Sequence, residues 1–272
     1  MLLRVSSLES YDIKRKEFEV ITRYQKTGIT MSQPLDFGVC GNSHERKTYM
    51  LLSWIEGQDL GDILPSLPES EQYRLGRSAG TILRKIHALQ IHEDELPAQS
   101  KVPRKLQQLQ AYLESDVRIS NDKIAVAFVG ENIDKIWQEQ PVYQHGDYHP
   151  GNLIYSDDGS LGVIDFNRWE VGDPYEEFYK LESFGVEVSV PYCVGQIDAY
   201  FDDVVPDRFW LTLAVYVAHA SLSSIKWAER FGADEIAGMK RRCEQAFEHY
   251  DAFRRTIPTW YEDWYTKSAA VV

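Results

Sequence analysis

The chain has 272 residues, 43% of them hydrophobic and 26% charged, so it can bury a sizeable core without disulfide or metal staples, as one large domain or two small ones. Forty-two acidic residues against 29 basic ones leave a net charge of −13, which excludes the basic footprint of nonspecific nucleic-acid or anionic-membrane binding. Cys40, Cys193 and Cys243 lie far apart with no CxxC, no run approaches the roughly 18 apolar residues of a membrane span, and MLLRVSSLESYDIKRK is too briefly apolar for a signal peptide; the expected location is the cytoplasm.

Met1 to Val5 reads as a strand. Residues 9 to 25 follow with Ile13, Phe18, Ile21 and Tyr24 at helical spacing. Two β-like runs, Leu35 to Cys40 and Lys47 to Ile55, are joined by the polar GNSHER, and Gly57 ends the second. Helical patterns then occupy 69 to 90, 102 to 115, 121 to 138, 174 to 184, 191 to 204, 207 to 231 and 234 to 256. Between 141 and 166 they are interrupted by PVYQH, NLIYS and LGVIDF, which read as short strands. The fold class is therefore α+β. A small sheet-bearing part precedes a large helical part holding one β-rich insert, with the boundary near Glu56 and Gly57.

The informative stretch is QHGDYHPGNLIYSDDGSLGVIDFNRW. His145, Gly146 and Asp147 are followed, after four intervening residues, by Asn152, the spacing of the kinase catalytic loop H-R-D-x-x-x-x-N with glycine for arginine. Asp165-Phe166-Asn167 closes the apolar run LGVI, where a D-F-G element would lie. Phosphoryl transfer explains each residue. A carboxylate must receive the acceptor hydroxyl, and Asp147 suits that role. Magnesium takes few oxygen ligands from protein, and Asn152 with Asp165 supplies an amide and a carboxylate. Pro150-Gly151 makes the turn that returns Asn152 beside Asp147. His145 reads as an orienter bonded to nearby backbone, and His149 as a packing or acceptor-site residue. A plain surface hairpin would also be this rich in turns, and the strand ending in Asp-Phe at the right distance is what argues against it. Zinc at His145 and His149 lacks a third ligand.

With these residues, HGDYHPGN followed by VIDFNRWEVGDPYEEF resembles the aminoglycoside phosphotransferase family, relatives of choline kinase and homoserine kinase. The likeness runs from Leu2 to about Trp260 and includes YMLLSWIEG at 49 to 57 and GRSAGTILRKIHAL at 76 to 89. It implies a protein-kinase-like fold of two lobes. Residues 1–56 would be the nucleotide-binding lobe with a small antiparallel sheet, and 57–272 a helical lobe with the catalytic loop and acceptor site. It also implies Asp147 as catalytic base, Asn152 and Asp165 as Mg2+ ligands, and ATP or GTP as phosphoryl donor. Asp173, in the GDP element at 172 to 174, would cap the next helix.

Two departures stand out. The phosphate-holding lysine of relatives falls on Arg4, with Glu17 as its helix partner. Arginine is not lysine's equivalent in reach or hydration; the plain alternatives are an edge-strand charge and a solvated helix face whose acid pairs with Lys14 or Arg15. With Met1 to Val5 as the third strand, the two strands before it and the Gly-rich loop are missing. Either the true start lies upstream, or the nucleotide binds under an open roof. An edge strand so exposed invites pairing.

The purine would lie against Leu52, Ser53, Trp54 and Ile55, with Trp54 equally readable as core. Residues 169 to 272 hold 18 acidic against 10 basic residues, a net −8, and an acidic cleft concentrates cations. The expected partner is therefore a small, cationic acceptor, first an aminoglycoside-like amino sugar. Alternatives are choline, homoserine, a sugar or an amino alcohol, and, outside enzymes, a non-catalytic binding module. Trp227, Tyr250, Trp260, Tyr261, Trp264 and Tyr265 read as core more readily than as a stacking surface.

Overall fold

The computed structural model describes residues 1–42 and 45–269; Ser43 and His44 of the GNSHER connection lie outside them. Strands β1 (Leu2–Ser7), β2 (Pro34–Gly41) and β3 (Arg46–Leu52) form an antiparallel sheet in the order β1-β3-β2. Alternation along β3 buries Thr48, Met50 and Leu52 on one face. Helix α1 (Tyr11–Tyr24) buries Glu17, Val20, Ile21 and Tyr24, a 3.6-residue stripe containing one carboxylate. Register pairs Arg4, midway along the edge strand β1, with Met50 of the central strand.

The chain leaves this sheet after Leu52, earlier than the expected Ile55. Short strand β4 (Gln58–Asp59) and the one-turn α2 (Leu60–Ile63) follow. Strand β4 pairs with β6 (Leu153–Tyr155), which pairs with β7 (Leu161–Val163). A third sheet joins β5 (Val142–Gln144) to β8 (Glu170–Gly172), a strand too short to show in the sequence. The segment between α1 and β2 crosses β7 by backbone alone: Val163 N donates to Thr30 O at 2.9 Å and Ser32 N to Val163 O at 3.1 Å.

The helical part is built on α3 (Glu69–His87), α4 (Val102–Leu113), α5 (Lys123–Asn132), α6 (Val190–Tyr200), α7 (Asp207–Ala228), α8 (Ala233–His249) and α9 (Thr259–Ala269). Helices α3 and α6 touch backbone to backbone. A Cβ on Gly76 would lie 2.1 Å from Tyr192 O, and one on Gly195 would lie 2.3 Å from Tyr73 O. Helix α7 is buried along most of its length, Phe209 to Ala228. Residues 174–184, which the sequence presents as one helix, are a 3-10 turn (Pro174–Phe178) running into a π turn (Leu181–Gly185). Among the described residues no helix is long and apolar enough to cross a membrane.

Candidate active site

Strand β5 delivers His145, Gly146 and Asp147, and a buried carboxylate fixes the delivery. Glu177 accepts His145 N at 3.0 Å and Gly146 N at 2.7 Å. His145 is fully buried, and burial pushes its pKa down, so the ring is neutral. Its Nε2 donates to Ile164 O at 2.9 Å and its Nδ1 accepts Asp147 N at 3.2 Å. One imidazole thus ties the Asp147 backbone to the strand leading to Asp165, the orienting role expected of it. Asp173 accepts Tyr175 N at 2.9 Å, Trp137 N at 2.6 Å and Tyr216 OH at 2.8 Å, a structural cap.

Asn152 closes the turn. Its Nδ2 donates to Asp147 O at 2.8 Å, which leaves Oδ1 as the atom that could ligate a metal. Ile164 N donates to Asn152 O at 3.1 Å, setting Asn152 beside Asp165. Asp165 takes the left-handed conformation, φ 61° and ψ 59°, which costs an ordinary residue about 1–2 kcal/mol and asparagine or aspartate less. Its half-exposed carboxylate has one ionic contact, Arg4 Nη1 at 3.6 Å. An amide oxygen and an under-used carboxylate, held side by side, fit the sparse protein ligation of magnesium. Among the described residues no group of three or more His, Cys, Asp or Glu is placed to hold a metal ion.

The expected pair of Arg4 and Glu17 forms, at 2.9 Å, with the Glu17 side chain 2% exposed. Lys14 reaches the same carboxylate at 2.6 Å, while Arg15 turns to Glu19. Arg4 therefore sits between α1 and Asp165. The four residues expected at the purine behave differently from one another. Leu52 is buried in the core and Trp54 is 60% exposed, so Trp54 is no core residue. Ile55 packs against Gly162. Ser53 is occupied internally: its N donates to Gln33 O and its Oγ accepts Gln33 N, both at 2.8 Å. Its N–H is not free for a nucleotide.

Three further side chains, none given a role by the sequence, act on this loop. Lys180 Nζ stands 2.6 Å from Asp147 Oδ1 with its side chain 4% exposed, and Arg168 Nε is 3.5 Å from Oδ2. Burial alone would raise the Asp147 pKa, but Lys180, Arg168 and His149 reverse that and hold it below the usual carboxylate range. Asp147 is a carboxylate at neutral pH. Glu177, the clamp under the loop, is the third. Sequence reading passes over Lys180 because YEEFYKLESF has the look of a solvated helix. The only signal is a lysine with apolar neighbours on both sides, Tyr179 and Leu181.

Asp147 opens on a cavity of about 880 Å³ between α4, α7, α8 and the turns around Lys180, a size that encloses a drug-sized molecule. His149 lines it and packs on Phe184 at 5.2 Å between ring centroids; burial lowers its pKa to about 4. Trp227 lines it too, whereas Tyr250 and Trp260 are core. The lining carries Asp147, Glu182, Glu229 and Glu235 against Arg168, Lys180, Lys226, Arg230 and Arg242. The −8 balance of residues 169–272 thus resides elsewhere on the helices, and the local acid excess on which the cationic acceptor was expected does not exist.

A family model described as the phosphotransferase enzyme family matches residues 1–211. The chain belongs to that family. No curated protein matches this phosphotransferase by sequence. Among solved structures, the GDP complex of aminoglycoside 2′-phosphotransferase-IIIa superposes with a TM-score of 0.66 at 16% identity, over 85% of this chain and 81% of that one. A choline/ethanolamine kinase family protein from Mesorhizobium loti gives 0.64 at 15%, over 89% and 81%. An amicoumacin kinase in complex with AMP-PNP, Ca2+ and its ligand gives 0.64 at 14%, over 96% and 84%. This phosphotransferase therefore has the two-lobed protein-kinase-like fold, a small antiparallel sheet against a large helical part, and it is an enzyme rather than a binding module.

Proposed function

We propose that this phosphotransferase transfers the γ-phosphoryl group of ATP or GTP to a hydroxyl of a small molecule held in the 880 Å³ cavity. One observation carries the reading: Asp147, which lines the cavity, is tied through Asn152 to the strand leading to Asp165, whose carboxylate faces the Arg4 of the Arg4–Glu17 ion pair. Asp147, ionised and anchored, orients the acceptor hydroxyl in line with the γ-phosphorus and takes its proton. The acceptor oxygen bonds to phosphorus as the bond from phosphorus to the β,γ-bridging oxygen breaks, and the nucleoside diphosphate leaves with that electron pair. Lys180 fixes the Asp147 carboxylate in place, and Arg4, backed by Glu17, faces the phosphates. Asn152 and Asp165 would hold Mg2+, which neutralises the phosphate oxygens when bound.

Amino sugars, first among the expected acceptors, are polycations, and the mixed lining gives them no special place. A hydroxylated metabolite is the better reading, because Ser221, Ser223 and Ser224 of α7 face the cavity among both signs of charge. The test is nucleoside diphosphate release across an acceptor panel, with thermal shifts in Mg-ATP, Mg-GTP and EDTA. A magnesium-dependent shift and turnover lost in Asp147→Asn are the expected results. Turnover by the folded variant within tenfold of wild type would remove Asp147 from the role of base.

A further inference from the structure

Resting on the reading that Asp147 receives the acceptor hydroxyl, the charges elsewhere in the cavity say what the acceptor's other end carries. Three of the four carboxylates are already engaged. Asp147 holds Lys180. Glu182 is bonded by His249 Nδ1 at 2.7 Å and Trp260 Nε1 at 2.8 Å, and Glu229 by Lys226 at 2.5 Å and by the Ser115 hydroxyl. Arg168 shares Asp147 with Lys180, but Arg230 and Arg242 keep donor capacity that no carboxylate of the lining takes up. Arg230 has no ion pair among the described residues; its guanidinium lies over Trp227 at 5.1 Å and Phe231 at 4.9 Å. Arg242 has its carboxylate, Glu187 at 2.8 Å, outside the cavity lining, and its Nε is buried without a hydrogen-bond partner. A buried N–H without an acceptor is costly, and an oxygen brought to it is favoured.

Contacts link Arg242 to the reacting end, and Arg230 lines the same cavity. His149 Nε2 lies 3.7 Å from Asp147 Oδ1, the His149 ring packs on Phe184 at 5.2 Å, and Arg242 Cζ lies 4.9 Å from the Phe184 ring centre. A molecule whose hydroxyl meets Asp147 can lie along His149 and Phe184 and reach Arg242. We propose that the acceptor carries an anionic group, carboxylate or phosphate, at the end remote from the reacting hydroxyl, bound by Arg242 and Arg230. Planar guanidinium forks match both groups bidentately, and a polyamine meets like charge there.

The experiment measures equilibrium binding to Asp147→Asn, so that turnover is not required, with four probes: trehalose, lactobionate, trehalose 6-phosphate and kanamycin. The carboxylate and phosphate arms separate the two anions. An anionic probe is expected to bind more tightly than trehalose and kanamycin, and to weaken about tenfold or more in added Arg242→Gln or Arg230→Gln, with trehalose changing less than twofold. Arg230 is exposed, so its variant folds even where loss of the Arg242–Glu187 pair disturbs α8, and Arg242→Lys restores charge without the fork. Kanamycin binding more tightly than both anions, or no anion bound above the neutral sugar, overturns the proposal. If Mg-ATP still stabilises the protein, only this inference falls; if it does not, the kinase reading falls as well.

Discussion

Gly146 stands between His145 and Asp147 at φ 80°, and a Cβ there would lie 2.0 Å from Arg168 O. The kinase loop's arginine is therefore impossible at this position without moving β8's approach. Gly146→Ala is expected to shift Asp147 while sparing the core, lowering kcat by about 10²-fold, the scale of an ångström's misplacement; steady-state kinetics beside a melting curve check it. A folded variant with unchanged kcat would show that the loop tolerates the shift. Arg4 makes a second case. Arg4→Ala leaves Glu17 buried with Lys14 alone, and is expected to raise the nucleotide KM and lower kcat while leaving the acceptor KM near wild type. Equal kinetics would return Arg4 to an edge-strand charge. Asp147, Asn152 and Asp165 were legible because a fixed spacing encodes them. Lys180 and Glu177 were not, because Glu177 lies in a 3-10 turn and Lys180 at its junction with a π turn, where helical periodicity does not aim side chains.

Among elements, the strongly periodic α1, α3 and α8 could be read from their apolar stripes, with ends shifted by a few residues. Strands β4 and β8 could not: two- and three-residue strands have no period to detect. Helix α9 was missed for another reason. Its aromatics Trp260, Tyr261, Trp264 and Tyr265 do share one face, but the last helical pattern read from the sequence ends at 256; Trp260 packs in the core and phenol hydroxyls hold the rest. Tyr261 and Tyr265 of α9, with Tyr73 of α3, donate to buried Asp198 of α6 at 2.7, 2.5 and 2.8 Å. Three donors on one carboxylate make Asp198 the pin of the C-terminal helix. Asp198→Asn keeps the shape but loses the charge, and is expected to cost about 2 kcal/mol and to raise amide exchange in 259–269 first. A loss confined to activity, with α9 still protected, would refute that role.

For the whole molecule, acid sensitivity follows from buried histidines. Burial holds His219 down to about 3 and His149 to about 4, and lowers His145 as well. In the unfolded chain each titrates near 6.5. Below that pH the unfolded state binds more protons, so stability is full above about 6.5 and falls as pH drops toward the folded values. His249 acts oppositely: burial opposes its protonation, but Glu182 raises it overall, so its contribution is present at low pH and lost as pH rises. Three against one, the melting temperature is expected to fall between pH 7 and 5, before the carboxylates titrate; a flat profile there would contradict these assignments.

The crossing at Thr30, Ser32 and Val163 is written in amides, not side chains. A substitution scan will register burial here, since Val163 is fully buried and Ser32 nearly so, and pass over the backbone bonds themselves, because nearly every residue carries the same N–H and C=O. Proline is the exception, since it has no N–H. Ser32→Pro is expected to loosen the N-terminal sheet from the strand leading to Asp165, weakening nucleotide binding with the helical part still folded, as nucleotide titration and far-UV circular dichroism would register. The backbone half of the seam thus makes one demand, an amide hydrogen, which every residue but proline meets, and that demand is invisible to any reading that weighs side chains alone.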